Sequence, residues 1–200
     1  MDHEENHITK FTTEFTSKVA PKDFRIENLR HYASLFAEYE LAPPYPGGSH
    51  GNLSFRIAPE EESFIITASK TALFDPLADR DFVQVDEVDF EKGIVYAQGE
   101  RLPSSESMIH YALYLQNPHI NAIFHGHSAD ILAKAEELRI PITEKEEEFG
   151  TVDLVERVLD VSGHRTMVVM KNHGFIGMGL HMEDCWETVF DYFMKATKDI

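Results

Sequence analysis

Two short apolar runs constrain the fold more than any other feature of the chain. Residues 120–124 (Ile-Asn-Ala-Ile-Phe) lead into His125-Gly126-His127, and residues 166–170 (Thr-Met-Val-Val-Met) lead through Lys171-Asn172 into His173-Gly174. Runs of this length, rich in branched apolar side chains and closed by glycine, read as buried strands. Side chains two apart on an extended segment project to the same side, so His125 and His127 can point at one atom. If both runs lie in one sheet, His173 can join them. Three imidazoles with one coordination position open are the donor set of a catalytic zinc ion, and they bind as neutral rings. The plainer alternative is that these are packing residues, since eleven histidines are present. The other eight show no strand-end context, and only His50, inside the glycine loop Gly47-Gly48-Ser49-His50-Gly51, stands apart from them.

The remaining chain alternates helices with short strands. Phe24, Leu29, Tyr32, Ala33, Leu35 and Phe36 have helical spacing, with Asp23 as the expected N-cap and Pro43-Pro44-Tyr45-Pro46 as the stop. Residues 53–57 and 63–67 read as paired strands, and 82–88 and 94–96 as two more. A helix is expected from Ser104, with Met108, Tyr111, Ala112 and Leu115 on its apolar face and Pro118 at its end. Helices are also expected over 129–138, 152–161 and 182–196, with an acidic loop at 144–148. Hairpins and helical connections together predict an α/β fold with a mixed, mainly antiparallel sheet and helices on both faces. Residues 1–22 are polar and weakly patterned, and read as an arm that is either mobile or ordered on a neighbour.

Charge narrows the partners. Eighteen basic against thirty-five acidic residues leave a formal charge of −17, which repels nucleic acid and anionic membrane surfaces. A single cysteine, Cys185, excludes an internal disulfide and suits a reducing compartment. No apolar run reaches the length of a membrane span, and the acidic start lacks a secretory signal pattern. The expectation is a soluble, cytoplasmic protein.

Four segments, in this order, resemble the class II aldolase/adducin family: Gly51-Asn52-Leu53-Ser54-Phe55-Arg56, Pro103-Ser104-Ser105-Glu106, His125-Gly126-His127 and Asn172-His173-Gly174. The resemblance implies a three-layer α/β/α sandwich and one class II aldolase/adducin-like catalytic domain over 23–200. It implies Zn2+, or another divalent metal, on His125, His127 and His173. It also implies a homotetramer with active sites at subunit contacts, and a small sugar-phosphate substrate, as in the fuculose-1-phosphate aldolase branch. Cleaving a carbon–carbon bond beside a carbonyl requires stabilising an enediolate, which a divalent ion on neutral imidazoles can do. Glu106 is the position the family uses to move the proton, although a carboxylate there also complements a helix dipole. For the phosphate, Gly51 allows close backbone approach, Asn52 can donate, and Ser104 and Ser105 open a helix.

Two departures from the family pattern bear on the reaction. Thr67-Ala68-Ser69-Lys70 falls where relatives carry Thr-Pro-Ser-Gly; Ser69 is kept in kind, while Lys70 either pairs with a phosphate or blocks its approach. The fuculose-phosphate enzymes place a proton-donating tyrosine three positions before a Phe-Gly-Thr like Phe149-Gly150-Thr151, and here that position is Glu146. Family dehydratases acting on methylthioribulose-1-phosphate use a glutamate from this region, so Glu146 is either an acid/base or part of a solvated acidic loop. Three functions follow: a zinc-dependent aldolase-type lyase, a metal-dependent sugar-phosphate dehydratase or 4-epimerase, and, last, an adducin-like interaction module.

Overall fold

The computed structural model describes residues 10–198. Its strands are β1 (Thr12–Ser17), β2 (Pro44–Tyr45), β3 (Gly48–Ser49), β4 (Asn52–Arg56), β5 (Phe64–Thr67), β6 (Phe82–Asp89), β7 (Ile94–Gln98), β8 (Ala122–Gly126), β9 (Met167–Met170) and β10 (Gly174–Gly179). Its α-helices are α1 (Ile26–Glu38), α2 (Ser107–Gln116), α3 (Ala129–Ala133), α4 (Val152–Ser162) and α5 (Met182–Thr197). One eight-stranded sheet runs β1-β7-β6-β5-β4-β8-β10-β9, while β2 and β3 form a separate small hairpin. Every neighbouring pair in the large sheet is antiparallel except β1 with β7.

The period-2 alternation of the central strands builds the expected three layers. Leu53, Phe55, Ala122, Phe124, Val169 and Phe175 face α1, α3 and α5, whose Leu29, Phe36, Ile131, Cys185 and Val189 complete one core. Ile66, Val85, Ile123, Val168, Ile176 and Met178 face the other way, onto Met108, Tyr111, Leu154 and Val158 of α2 and α4. Strands covered on both faces are buried throughout, as in β4, β8, β9 and β10.

Several expected boundaries shift. Residues 12–17, assigned to the polar arm, form β1 and pair with β7 at the sheet edge; residues 1–9 lie outside the described residues. The β1 side chains alternate exposed and half-buried, which suits an edge strand and leaves little apolar signal. Asp23 is not the N-cap of α1, which begins three residues later; its carboxylate accepts the Arg25 N–H at 2.9 Å in the turn before the helix and pairs with the Arg25 guanidinium at 2.6 Å. That helix ends before Pro43, because Glu40 turns left-handed at φ 55° and the Leu41 N–H closes onto the Phe36 carbonyl. The helix expected over 129–138 stops at Ala133 and continues as turns. The two histidine-terminated strands do share a sheet, but β10 lies between them.

Candidate active site

The site lies where β8 ends and the β9–β10 turn comes back beside it. His125 is in β8 opposite Ile176 of β10 and Asn52 of β4, and His127 follows directly. His173 occupies the β9–β10 turn, whose closing bond runs from the His173 N–H to the Met170 carbonyl. The glycines after these histidines are dictated by packing. A Cβ on Gly174 would sit 2.5 Å from the Gly126 carbonyl and 2.7 Å from His125 Cε1. Gly51, at φ +95°, would bring a Cβ within 2.7 Å of the His125 carbonyl. Glycine is therefore required at 51 by the neighbouring strand, whatever approaches from the cavity side.

The three imidazoles converge: one nitrogen from each of His125, His127 and His173 lies within 4.8 Å of the other two. The Glu106 carboxylate, just before the first turn of α2, sits among them. Its Oε2 is 2.9 Å from His125 Nε2 and its Oε1 is 2.9 Å from His173 Nε2. The Asn52 amide donates to Oε2 at 2.8 Å. His125 Nδ1 donates to the Phe175 carbonyl at 2.8 Å, which leaves its Nε2 lone pair facing inward. That lone pair meets a carboxylate oxygen and also His127 Nε2 at 3.1 Å. Acceptors turned on one another in this way need a proton or a cation between them. The donor set fits a divalent metal: nitrogen ligands oriented by a backbone partner behind them, with a carboxylate alongside.

Without a metal, a proton among these groups fills that role. Burial alone would raise the Glu106 pKa, but the His125 and His173 rings outweigh it and hold the carboxyl well below its usual range. Burial lowers His127 to about 2, with the neighbouring His125 and His173 adding to the effect, so this ring keeps a lone pair for a ligand. Burial would lower His173 too, but the Glu106 charge and hydrogen bond reverse that and raise it. Behind the site, His110 is fully buried and lowered to about 3 by burial; its Nδ1 is 2.7 Å from Ser54 Oγ, which is 2.8 Å from the Tyr114 hydroxyl.

A cavity of about 400 Å³ opens over the cluster. It brings together every residue singled out from the sequence: Gly51, Asn52, Ser69, Lys70, Ser104, Ser105, Glu106 and Glu146 line it with the three histidines. Ser104 does not begin α2, which starts at Ser107; instead its carbonyl accepts the Ser107 N–H at 3.1 Å in the preceding turn. Lys70 takes φ 56°, a left-handed backbone conformation that favours glycine over residues with a side chain. Arg101 pins this turn, donating to the Ser69 and Lys70 carbonyls at 2.7 and 3.1 Å while pairing with Asp81. Glu146 accepts from the Asn172 amide at 2.8 Å, beside His173. His50 also lines the wall, its ring 4.9 Å from those of Tyr45 and His127. Sequence reasoning missed the Asn172–Glu146 contact and the packing of Tyr45. An asparagine just before His173 was the one available sign of a left-handed turn there.

Comparison with known proteins bears on the family and the fold. The family model of the class II aldolase and adducin N-terminal domain matches residues 29–192. An L-fuculose 1-phosphate aldolase structure superposes with a TM-score of 0.69 at 25% identity, covering 88% of this chain and 85% of that one. A sugar-phosphate aldolase from Thermotoga maritima superposes with a TM-score of 0.70 at 19% identity, over 86% and 91%, and shares the fold. A fluorothreonine transaldolase from Streptantibioticus cattleyicolor is 26% identical over 148 residues, which is 74% of this chain but 22% of that much longer protein. The match across most of the chain assigns it: this protein belongs to the class II aldolase and adducin N-terminal domain family.

Proposed function

We propose that the protein is a metal-dependent aldehyde-lyase that cleaves a small ketose phosphate into a ketone phosphate and an aldehyde. The observation that carries this reading is the His125–His127–His173 cluster with the buried Glu106 carboxylate at its centre. His125, His127 and His173 would hold Zn2+ or another divalent ion, which when bound supplies positive charge to the oxygen anion that forms at the substrate carbonyl. Glu106 takes up and returns the proton: it is held as a carboxylate, and Asn52 fixes its orientation at 2.8 Å. Breaking the carbon–carbon bond sends its electron pair toward the carbonyl, while the hydroxyl on the departing carbon gives up its proton and becomes the aldehyde. Ser69, Lys70, Ser104 and Ser105 supply hydroxyls and one cation for the phosphate. We further propose that the working form is a homotetramer with its sites at subunit contacts.

A second reading keeps the same centre and replaces cleavage with dehydration or epimerisation. What favours it is Glu146, which lines the cavity and is held beside His173 by Asn172. A carboxylate there can accept a proton that a tyrosine would donate. Product analysis on a panel of ketose phosphates decides between the two. Aldehyde and ketone phosphate are expected; loss of water, or inversion, without chain cleavage would replace the lyase with the second reading.

A further inference from the structure

The loop before α4 and the turn that carries His173 are joined at several points. The Thr143 and Val169 N–H groups bond to the Val169 and Pro141 carbonyls at 3.0 and 2.8 Å, so residues 141–143 extend the free edge of β9. Thr143 is 2% exposed; its hydroxyl oxygen accepts the Lys171 N–H at 2.9 Å and donates to the Lys145 carbonyl at 3.1 Å. Lys171 Nζ reaches the Glu144 carbonyl at 3.2 Å. Asn172 then turns left-handed at φ 57° and gives its side-chain amide to Glu146. The three consecutive carboxylates Glu146, Glu147 and Glu148 are thereby sorted. Glu148 pairs with Lys10, Glu147 faces Arg157 at 4.0 Å, and Glu146 alone is tied to the histidine turn.

We propose that Asn172 and Thr143 are positioning residues that lock Glu146 to the turn presenting His173, so that loop and metal turn move as one body. The inference rests on the catalytic reading of Glu146. Its physical reason is that an exposed glutamate on a loop samples many rotamers, and misplacement by about 1 Å costs roughly 10²-fold in rate. Asparagine serves both needs at one position, since it tolerates the left-handed backbone and carries a donor amide.

The test separates the backbone from the side chain. Asn172→Gly keeps the left-handed turn and deletes the amide. It should bind zinc with unchanged stoichiometry and affinity, keep KM within about twofold, and lose about tenfold in kcat. Amide hydrogen exchange over 144–147 should accelerate in both metal-free and zinc-loaded protein. Asn172→Ala also strains the turn, and zinc affinity should fall about tenfold as well. Thr143→Val should speed exchange at the Lys171 amide, and Thr143→Ser should restore it. Unchanged exchange over 144–147 in Asn172→Gly overturns the proposal, as does unchanged kcat while Glu146→Gln is inactive. If Glu146→Gln retains full turnover, the catalytic reading of Glu146 fails on its own. Exchange then decides the tie without reference to activity: faster exchange upholds it and unchanged exchange removes it.

Discussion

The two halves of the cavity are built by different means. His125 stands in β8, which is paired on both sides and covered on both faces; His127 follows its end, and His173 sits in the tight turn between β9 and β10 beside it, so the ladder sets most of their spacing. The rest of the wall, at Ser69–Lys70 and Glu146–Phe149, is made of loops fixed by side-chain clamps: Arg101 on one, Asn172 and Thr143 on the other. A paired strand cannot shift by a fraction of a residue without losing its register, so the metal half is nearly invariant in shape. A clamped loop can change one residue and keep its path. On the proposed function the difference becomes a division of labour, in which the sheet would supply the chemistry that tolerates an oxygen anion and the loops would select the bond to be broken.

The division can be broken most severely on the sheet side. His125→Ala or His173→Ala should abolish tight metal binding and lower turnover by about 10³-fold or more, the scale of losing a principal electrostatic stabiliser. Elemental analysis and steady-state rates check both. Glu106→Gln should keep the metal and lower kcat by about 10²–10⁴-fold, the range of a lost acid/base; an unchanged rate would remove Glu106 from the chemistry.

A pH titration sharpens the same contrast. His110, behind the sheet, is lowered to about 3 by burial, and His127 to about 2. Below pH 6.5 the unfolded chain takes up protons on both rings that the folded, metal-free chain refuses. More protons bound in the unfolded state means stability that falls as pH falls, by about 1.4 kcal/mol per unit for His110 alone between about pH 6.5 and 3. Denaturant midpoints of metal-free protein across that range should decline steadily. His110→Gln, which does not titrate, should shallow the slope.

How much of this was legible follows the same line. The histidines could be placed because strand ends have a local signature: an apolar run, a period of two and a closing glycine. The strand between them could not. β10 reads Gly-Phe-Ile-Gly-Met-Gly, and glycine argues against a strand unless the close packing of neighbours is already known. That packing exists: a Cβ on Gly177 would meet Val189 at 2.3 Å, within the α5 contact. β1 was hidden for the opposite reason, since an edge strand of threonines with one phenylalanine has almost no apolar pattern to read. Thr143 had no signal, because the Lys171 N–H that it accepts lies twenty-eight residues on, across a sheet edge that only tertiary structure creates.

The mildest perturbation falls on the loop side and pulls in two directions. Lys70 occupies a left-handed backbone conformation, which costs a non-glycine residue about 1–2 kcal/mol, partly offset by the extra entropy glycine loses on folding. Lys70→Gly should therefore stabilise the protein slightly, by about 0.5 kcal/mol, seen as a small rise in denaturant midpoint. If the lysine also holds an anionic group of the substrate, the same variant should raise KM severalfold with little change in kcat. A stability gain coupled to weaker binding is the signature of a strained residue retained for its side chain. A gain with unchanged KM would make Lys70 a bystander on a turn that Arg101 and the Ser69–Leu102 backbone bond hold, and substrate selection would then rest on the Glu146 loop.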